Sequence, residues 1–144
     1  MSADDKTRMS TDIKNTDKHG LLYGELTYRI RGAMFEVHNV LGPGHKESLY
    51  QKALAKEFDE RKIPFVREKG LDISFKAEKI GVYRPDFIVD EKIVIEVKAV
   101  PYLVRNAEVQ MSYYLRGTGY ELGLLVNFGA KKLDIRRRIY TNPR

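Results

Sequence analysis

The sequence predicts an α/β fold class, α+β in its order of elements, with helices packed on a mixed sheet. Three observations carry this prediction. Apolar residues recur at helical spacing before residue 62 and again after residue 105. The segment IVIEVKAV (93–100) is almost continuously apolar, as a strand buried on both faces must be. The remaining elements fall in the order helix, helix, three strands, helix, two strands, which suits a single layered domain.

Residues 1–20 are polar, without apolar periodicity, and read as a disordered leader. The domain is expected over 21–140, with a short tail at 141–144. Leu26, Ile30, Ala33, Met34, Val37, Val40 and Leu41 mark an amphipathic helix over 24–41. Gly42-Pro43-Gly44 stops it. A second helix is predicted over 46–62, with Leu49, Tyr50, Ala53, Leu54 and Phe58 inward, and Ile63-Pro64 ends it. Strands follow over 65–73, 82–89 and 93–100. Gly70 interrupts the first, and 74–79 could prolong a hairpin with Ile80 onward. A helix over 106–117 ends at Gly117-Thr118-Gly119. Residues 121–127 read as a buried strand and 133–140 as an alternating one. In that last strand Leu133, Ile135 and Arg137 face one way, and Arg136, Arg138 and Tyr140 the other.

The 144 residues suffice for one core. Composition is that of a soluble globular domain, 42% hydrophobic and 32% charged. No run approaches the roughly 20 apolar residues of a membrane span. The first residues lack the apolar stretch of a secretory signal, so a cytoplasmic location is the default. With no cysteine there is no disulfide, thiolate zinc site or iron–sulfur cluster. Net charge is +6. Residues 131–144 hold six basic side chains against one acid, most of that excess. This segment reads either as a phosphate-contacting surface or as a solvated strand.

Chemistry concentrates at Pro85-Asp86 and Glu96-Val97-Lys98. The polar turn Asp90-Glu91-Lys92 joins their strands closely enough to pair them antiparallel, which brings Asp86 near Glu96. Residues two apart on a strand share a face, so Glu96 and Lys98 point together while Ile95 and Val97 point away. Charges on a buried strand are costly unless paired or bound to a cation. Two carboxylates and an ammonium at one spot suit a magnesium-dependent phosphodiesterase. Carboxylate oxygens fit a hard divalent cation, and the lysine can position or deprotonate water.

Three further motifs have two readings each. In GHKESLY (44–50), Glu47 is either a third carboxylate or an acid favoured by the helix dipole. Tyr50 lies one turn on and can pack inward. Gln110 and Tyr114 share a helix face and either steady the site or simply pack. Arg84 either contacts phosphate or is solvated at a strand end. His19, His38 and His45 form no ligand pattern. Walker, dinucleotide-binding and serine or cysteine nucleophile motifs are absent.

Taken together, GHKESLY, RPDF with IVIEVKAV, QMSYYL and GLLVNFGAKKLDIRRRIY resemble the GxxExxY proteins of the PD-(D/E)xK nuclease superfamily. The Gln110–Tyr114 pair is similar to the QxxxY element of its RecB-like branch. The resemblance spans 23–140. It implies a restriction-endonuclease-like core, a mixed central sheet of about four to five strands flanked by helices. It also implies that Glu47, Asp86, Glu96 and the Val97 carbonyl hold Mg2+ or Mn2+, with Lys98 activating water. Gln110 and Tyr114, with Arg84 and Tyr50, would support the site or the substrate. The expected partner is nucleic acid, DNA foremost, with no membrane. A homodimer or a larger nucleic-acid-processing partner fits small nucleases of this fold, although no residue shows it. The rival readings are a non-cleaving nucleic-acid-binding or assembly module on the same fold, and a structural protein.

Overall fold

The computed structural model describes residues 22–141. The expected leader, with His19, lies outside the described residues, as do residues 142–144 of the expected tail. Helix α1 spans Gly24–Leu41 and α2 spans Glu47–Glu60. Five strands follow: β1 Phe65–Arg67, β2 Leu71–Phe75, β3 Glu78–Tyr83, β4 Phe87–Val89 and β5 Ile93–Lys98. Helix α3 spans Arg105–Thr118, and β6 Leu122–Asn127 and β7 Asp134–Ile139 close the chain.

The main sheet has the order β1-β4-β5-β6-β7. Only β5 and β6 run parallel, because α3 carries the chain back across the sheet between them. The other pairs are antiparallel. The architecture is the helix-flanked mixed sheet of a restriction-endonuclease-like fold.

Each face of the sheet has its own core. Ile93, Ile95 and Val97 of β5 join Leu122, Leu124 and Val126 of β6 beneath α1 and α2. Helix α1 presents Ile30, Ala33, Met34 and Val37 to this core, and α2 presents Tyr50, Leu54 and Phe58. On the other face Ile88, Val94 and Leu125 meet Met111 and Leu115 of α3. Each fully buried aliphatic side chain contributes about 1.5–3 kcal/mol by leaving water.

Two helix positions differ from expectation. Val40 is 70% exposed and Leu49 is 41% exposed; each lies at the margin of its helix's apolar stripe. The strand predictions differ more. The expected strand over 65–73 divides into β1, in the main sheet, and β2, in a separate two-stranded sheet with β3. Glu68 breaks it with a positive φ of 53°. The expected strand over 82–89 divides at Arg84-Pro85-Asp86, since proline has no N–H for a ladder. Both hairpin turns lack glycine and hold residues at positive φ: Lys76 and Ala77 between β2 and β3, Asp90 and Glu91 between β4 and β5. Lys92 N donates to Val89 O at 2.9 Å and closes the second turn.

Candidate active site

The division at Pro85 creates the site. Pairing of β4 with β5 ends at Phe87 opposite Ile95. Two residues further along β5, the Val97 N–H faces the same edge but meets no strand. Asp86 fills the gap: its Oδ2 accepts from Val97 N at 2.7 Å. One local break therefore both opens the edge and fixes the acid. The N–H and C=O of one strand residue point the same way, so the Val97 carbonyl also faces the Asp86 edge.

Glu96 is half-buried beside Asp86. Its Oε2 accepts from the Tyr83 hydroxyl. Burial pushes the Glu96 carboxyl up to about 7, with the Asp86 charge adding to the rise; the Tyr83 hydrogen bond and Lys98 act against it. Burial also pushes the Tyr83 phenol up, as does the Glu96 charge. Tyr83 therefore stays protonated and donates. Its ring stacks on Tyr114 of α3, with centroids 3.9 Å apart and planes within 9°.

Glu96 and Lys98 open on one hollow of about 220 Å³, which Tyr83, Arg84, Gln110 and Tyr114 also line. The structure thus brings together five of the residues predicted from sequence: Glu96, Lys98, Arg84, Gln110 and Tyr114. Arg84 and Gln110 are exposed there.

Glu47 stands apart. It occupies the first turn of α2, exposed, where Gln51 Nε2 donates to its Oε2 at 3.4 Å. Partial burial raises its pKa, and Asp86 raises it further while Lys98 lowers it. It lies within their electrostatic reach. Among the described residues no three His, Cys, Asp or Glu side chains gather as a metal-binding group. The expected Glu47, Asp86 and Glu96 cluster is therefore not assembled. Each acid turns instead to a protein donor: Gln51, the Val97 N–H and the Tyr83 hydroxyl. The donor chemistry of the Asp86–Glu96 pair still suits a hard divalent cation, since both offer carboxylate oxygens and their mutual repulsion is what a cation relieves.

Tyr50 does not reach the hollow. It is fully buried and stacks on Phe128 at 4.9 Å. Its hydroxyl donates to Gly42 O and accepts from His45 N at 3.2 Å. It thereby fixes the glycine-rich loop that delivers Glu47. The histidines serve the backbone: His38 Nε2 lies 2.9 Å from Ala130 O and His45 Nε2 lies 3.0 Å from Leu41 O.

The basic C-terminal strand is committed inward. Arg136 donates to both oxygens of Asp134, at 3.1 and 2.8 Å, and to Glu108 at 2.9 Å. Arg138 Nε donates to Ser112 Oγ at 2.9 Å, and Arg137 to Leu22 O at 2.9 Å. These arginines tie α3 and the start of the domain to β7, while Lys131 and Lys132 of the same segment stay exposed.

Two important residues escaped the sequence reading. Tyr83 stood beside Arg84 in the sequence, but nothing local showed that it reaches Glu96. Asn127 is fully buried. Its amide bonds Val100 N and O at 2.9 Å each and Gly129 N at 3.0 Å, locking the loop after Lys98. A buried asparagine ending an apolar strand was the available signal.

The chain belongs to the PD-(D/E)XK nuclease superfamily, whose family model matches residues 24–138. Members are in general nucleases that typically use divalent metal ions. No curated protein matches the chain. Among the described residues, no helix is long and apolar enough to cross a membrane.

Proposed function

We propose that this protein is a divalent-cation-dependent nuclease cutting phosphodiester bonds, in DNA foremost, with Asp86, Glu96 and Lys98 at its centre. The observation that carries this reading is the meeting of Asp86 and Glu96 where β4 parts from β5, with Lys98 on the same strand face as Glu96. Superfamily membership supports it, and the GHKESLY motif supports the narrower placement among GxxExxY proteins.

Asp86 and Glu96 would hold Mg2+ or Mn2+, with Glu47 and the Val97 carbonyl as the further donors. Such a cation supplies Lewis acidity, polarising the phosphate and lowering the pKa of water. Lys98 adds a point charge that orients the attacking water. Tyr83 orients Glu96 through its hydroxyl, and Tyr114 supports Tyr83 by stacking. Arg84 and Gln110 face the hollow, where a phosphate needs donors.

The test is calorimetric titration of Mn2+ into wild type and an Asp86→Ala/Glu96→Ala variant. The same samples are incubated with single-stranded, duplex and branched DNA and RNA. Metal binding and cleavage that both disappear in the variant support the reading. Metal binding without cleavage favours a non-cleaving binding module. Indifference to metal in both proteins overturns the metal site and leaves the acids as struts of the β4–β5 mouth.

A further inference from the structure

The geometry points to a second nucleic-acid surface: the outer face of α1, continued by the loops after β5 and β6, binds single-stranded nucleic acid. It deepens the nuclease reading and rests on it for what happens to the strand.

Two hollows adjoin on this face, and Arg31 and Phe35 line both. One, about 420 Å³, is completed by Tyr102, Lys132 and Leu133 among others. The other, about 520 Å³, is completed by Tyr28, Arg29, Gly32 and Arg61. Three aromatic rings stand in water here: Tyr28 at 80% exposure, Tyr102 at 70% and Phe35 at 43%. Tyr28 and Phe35 are two helical turns apart on one face of α1, with Arg31 between them. The Arg31 guanidinium lies 5.8 Å from the centroid of the Phe35 ring. Gly32 keeps the helix surface low: a Cβ there would sit 2.9 Å from the Arg61 guanidinium that lies across it.

Charge decides the occupant. Arg31 and Lys132 form no ion pair among the described residues. Asp134 also lines the wall, but Arg136 holds both its oxygens. Exposed rings alternating with unpaired cations match the two needs of a single strand: rings stack bases and cations neutralise phosphates. A duplex keeps its bases stacked inside and cannot use the rings. A second copy of the chain would favour contiguous apolar area, and here arginines separate the rings.

The α1 surface and the candidate active site lie on opposite faces of the sheet, α1 over one core and α3 over the other. Tyr102 and Lys132 stand four and five residues beyond the ends of β5 and β6, at the same end of this parallel pair as Lys98. The His38 contact to Ala130 O fastens α1 to one loop, and the Asn127 amide fastens the other.

The test measures fluorescence anisotropy of labelled oligo(dT), oligo(U) and a matched duplex in EDTA, where cleavage cannot intervene. Wild type is expected to prefer the single strands, and the two oligonucleotides separate DNA from RNA. Tyr28→Ala/Phe35→Ala/Tyr102→Ala should weaken single-strand binding by about tenfold or more without lowering Tm, since these side chains are exposed. Arg31→Gln/Lys132→Gln should flatten the log–log salt dependence by about 1.4. Equal binding of single strand and duplex by wild type overturns the proposal. So does unchanged single-strand binding in the aromatic variant, or a concentration-dependent dimer that this variant abolishes. Glu96→Gln separates the two readings. It should bind single strands like wild type in EDTA while losing cleavage. If wild type never cleaves yet the aromatic variant alone loses binding, the surface stands and the nuclease reading fails.

Discussion

On one side of β5, among the described residues, Ile93, Ile95 and Val97 enter a core of seventeen buried side chains beneath α1 and α2. On the other, Val94, Glu96 and Lys98 face α3, where the core holds five. The same six-residue strand thus serves two purposes on alternate residues. The large core supplies the stability that lets the small side keep a half-buried carboxylate with a raised pKa. Such a local departure from good packing is expected at functional sites.

Neighbouring residues of β5 should therefore respond oppositely. Glu96→Gln should reduce cleavage by roughly a thousandfold, the several kcal/mol that a metal ligand set contributes, with no loss of Tm at neutral pH. Single-turnover cleavage and calorimetric melting check this. Ile95→Ala, one residue away, should cost about 2–5 kcal/mol of stability, read by urea unfolding. If the two variants lose stability equally, the contrast between the faces is wrong.

Gly129→Ala probes the junction of the two loops that follow β5 and β6. A Cβ there would sit 2.4 Å from Val100 N. Overpacking against backbone should cost about 1–3 kcal/mol, again measured by urea unfolding, and should loosen the segment after Lys98.

Tyr83→Phe tests the small side alone. The Tyr83 hydrogen bond lowers the pKa of Glu96, so its loss should move the acidic limb of the pH–rate profile to higher pH. The same carboxyl predicts a pH dependence of folding. Its folded value, about 7, lies above the ordinary 4.5, so the folded protein holds this proton more tightly than the unfolded chain. That stabilisation is full below about pH 4.5 and is lost as pH rises through about 7. Metal-free unfolding free energies across this window should fall with pH in wild type and show a flatter profile in Glu96→Gln. The smallest effect is expected at the β4–β5 turn. Glu91→Gly relieves a positive φ of 56° and should stabilise by about 1 kcal/mol, a rise in Tm without change in activity.

Much of this was legible in the chain itself. The IVIEVKAV run identified the central strand because a strand buried on both faces has no polar alternation to hide it. Spacing of two put Glu96 and Lys98 on one face, and the Asp90–Lys92 turn brought Asp86 to Glu96. The α1 boundaries were readable from a clean apolar stripe ended by Gly42-Pro43. The stretch over 65–89 was less so: one apolar series serves two sheets there, and only tertiary packing decides that β2 and β3 leave the main sheet.

Residue type and spacing, then, determined which side chains could share a face: period two on β5, and one turn between Gln110 and Tyr114. These are local properties of backbone geometry. The tertiary structure alone decided which faces met. It carried Tyr83 across thirteen residues to Glu96, committed Arg136 and Arg138 of β7 to α3, and set Glu47 at an exposed helix end within electrostatic reach of Asp86 and Lys98. Such pairings depend on how helices dock on the sheet, and docking is set by the whole buried surface rather than by any one segment.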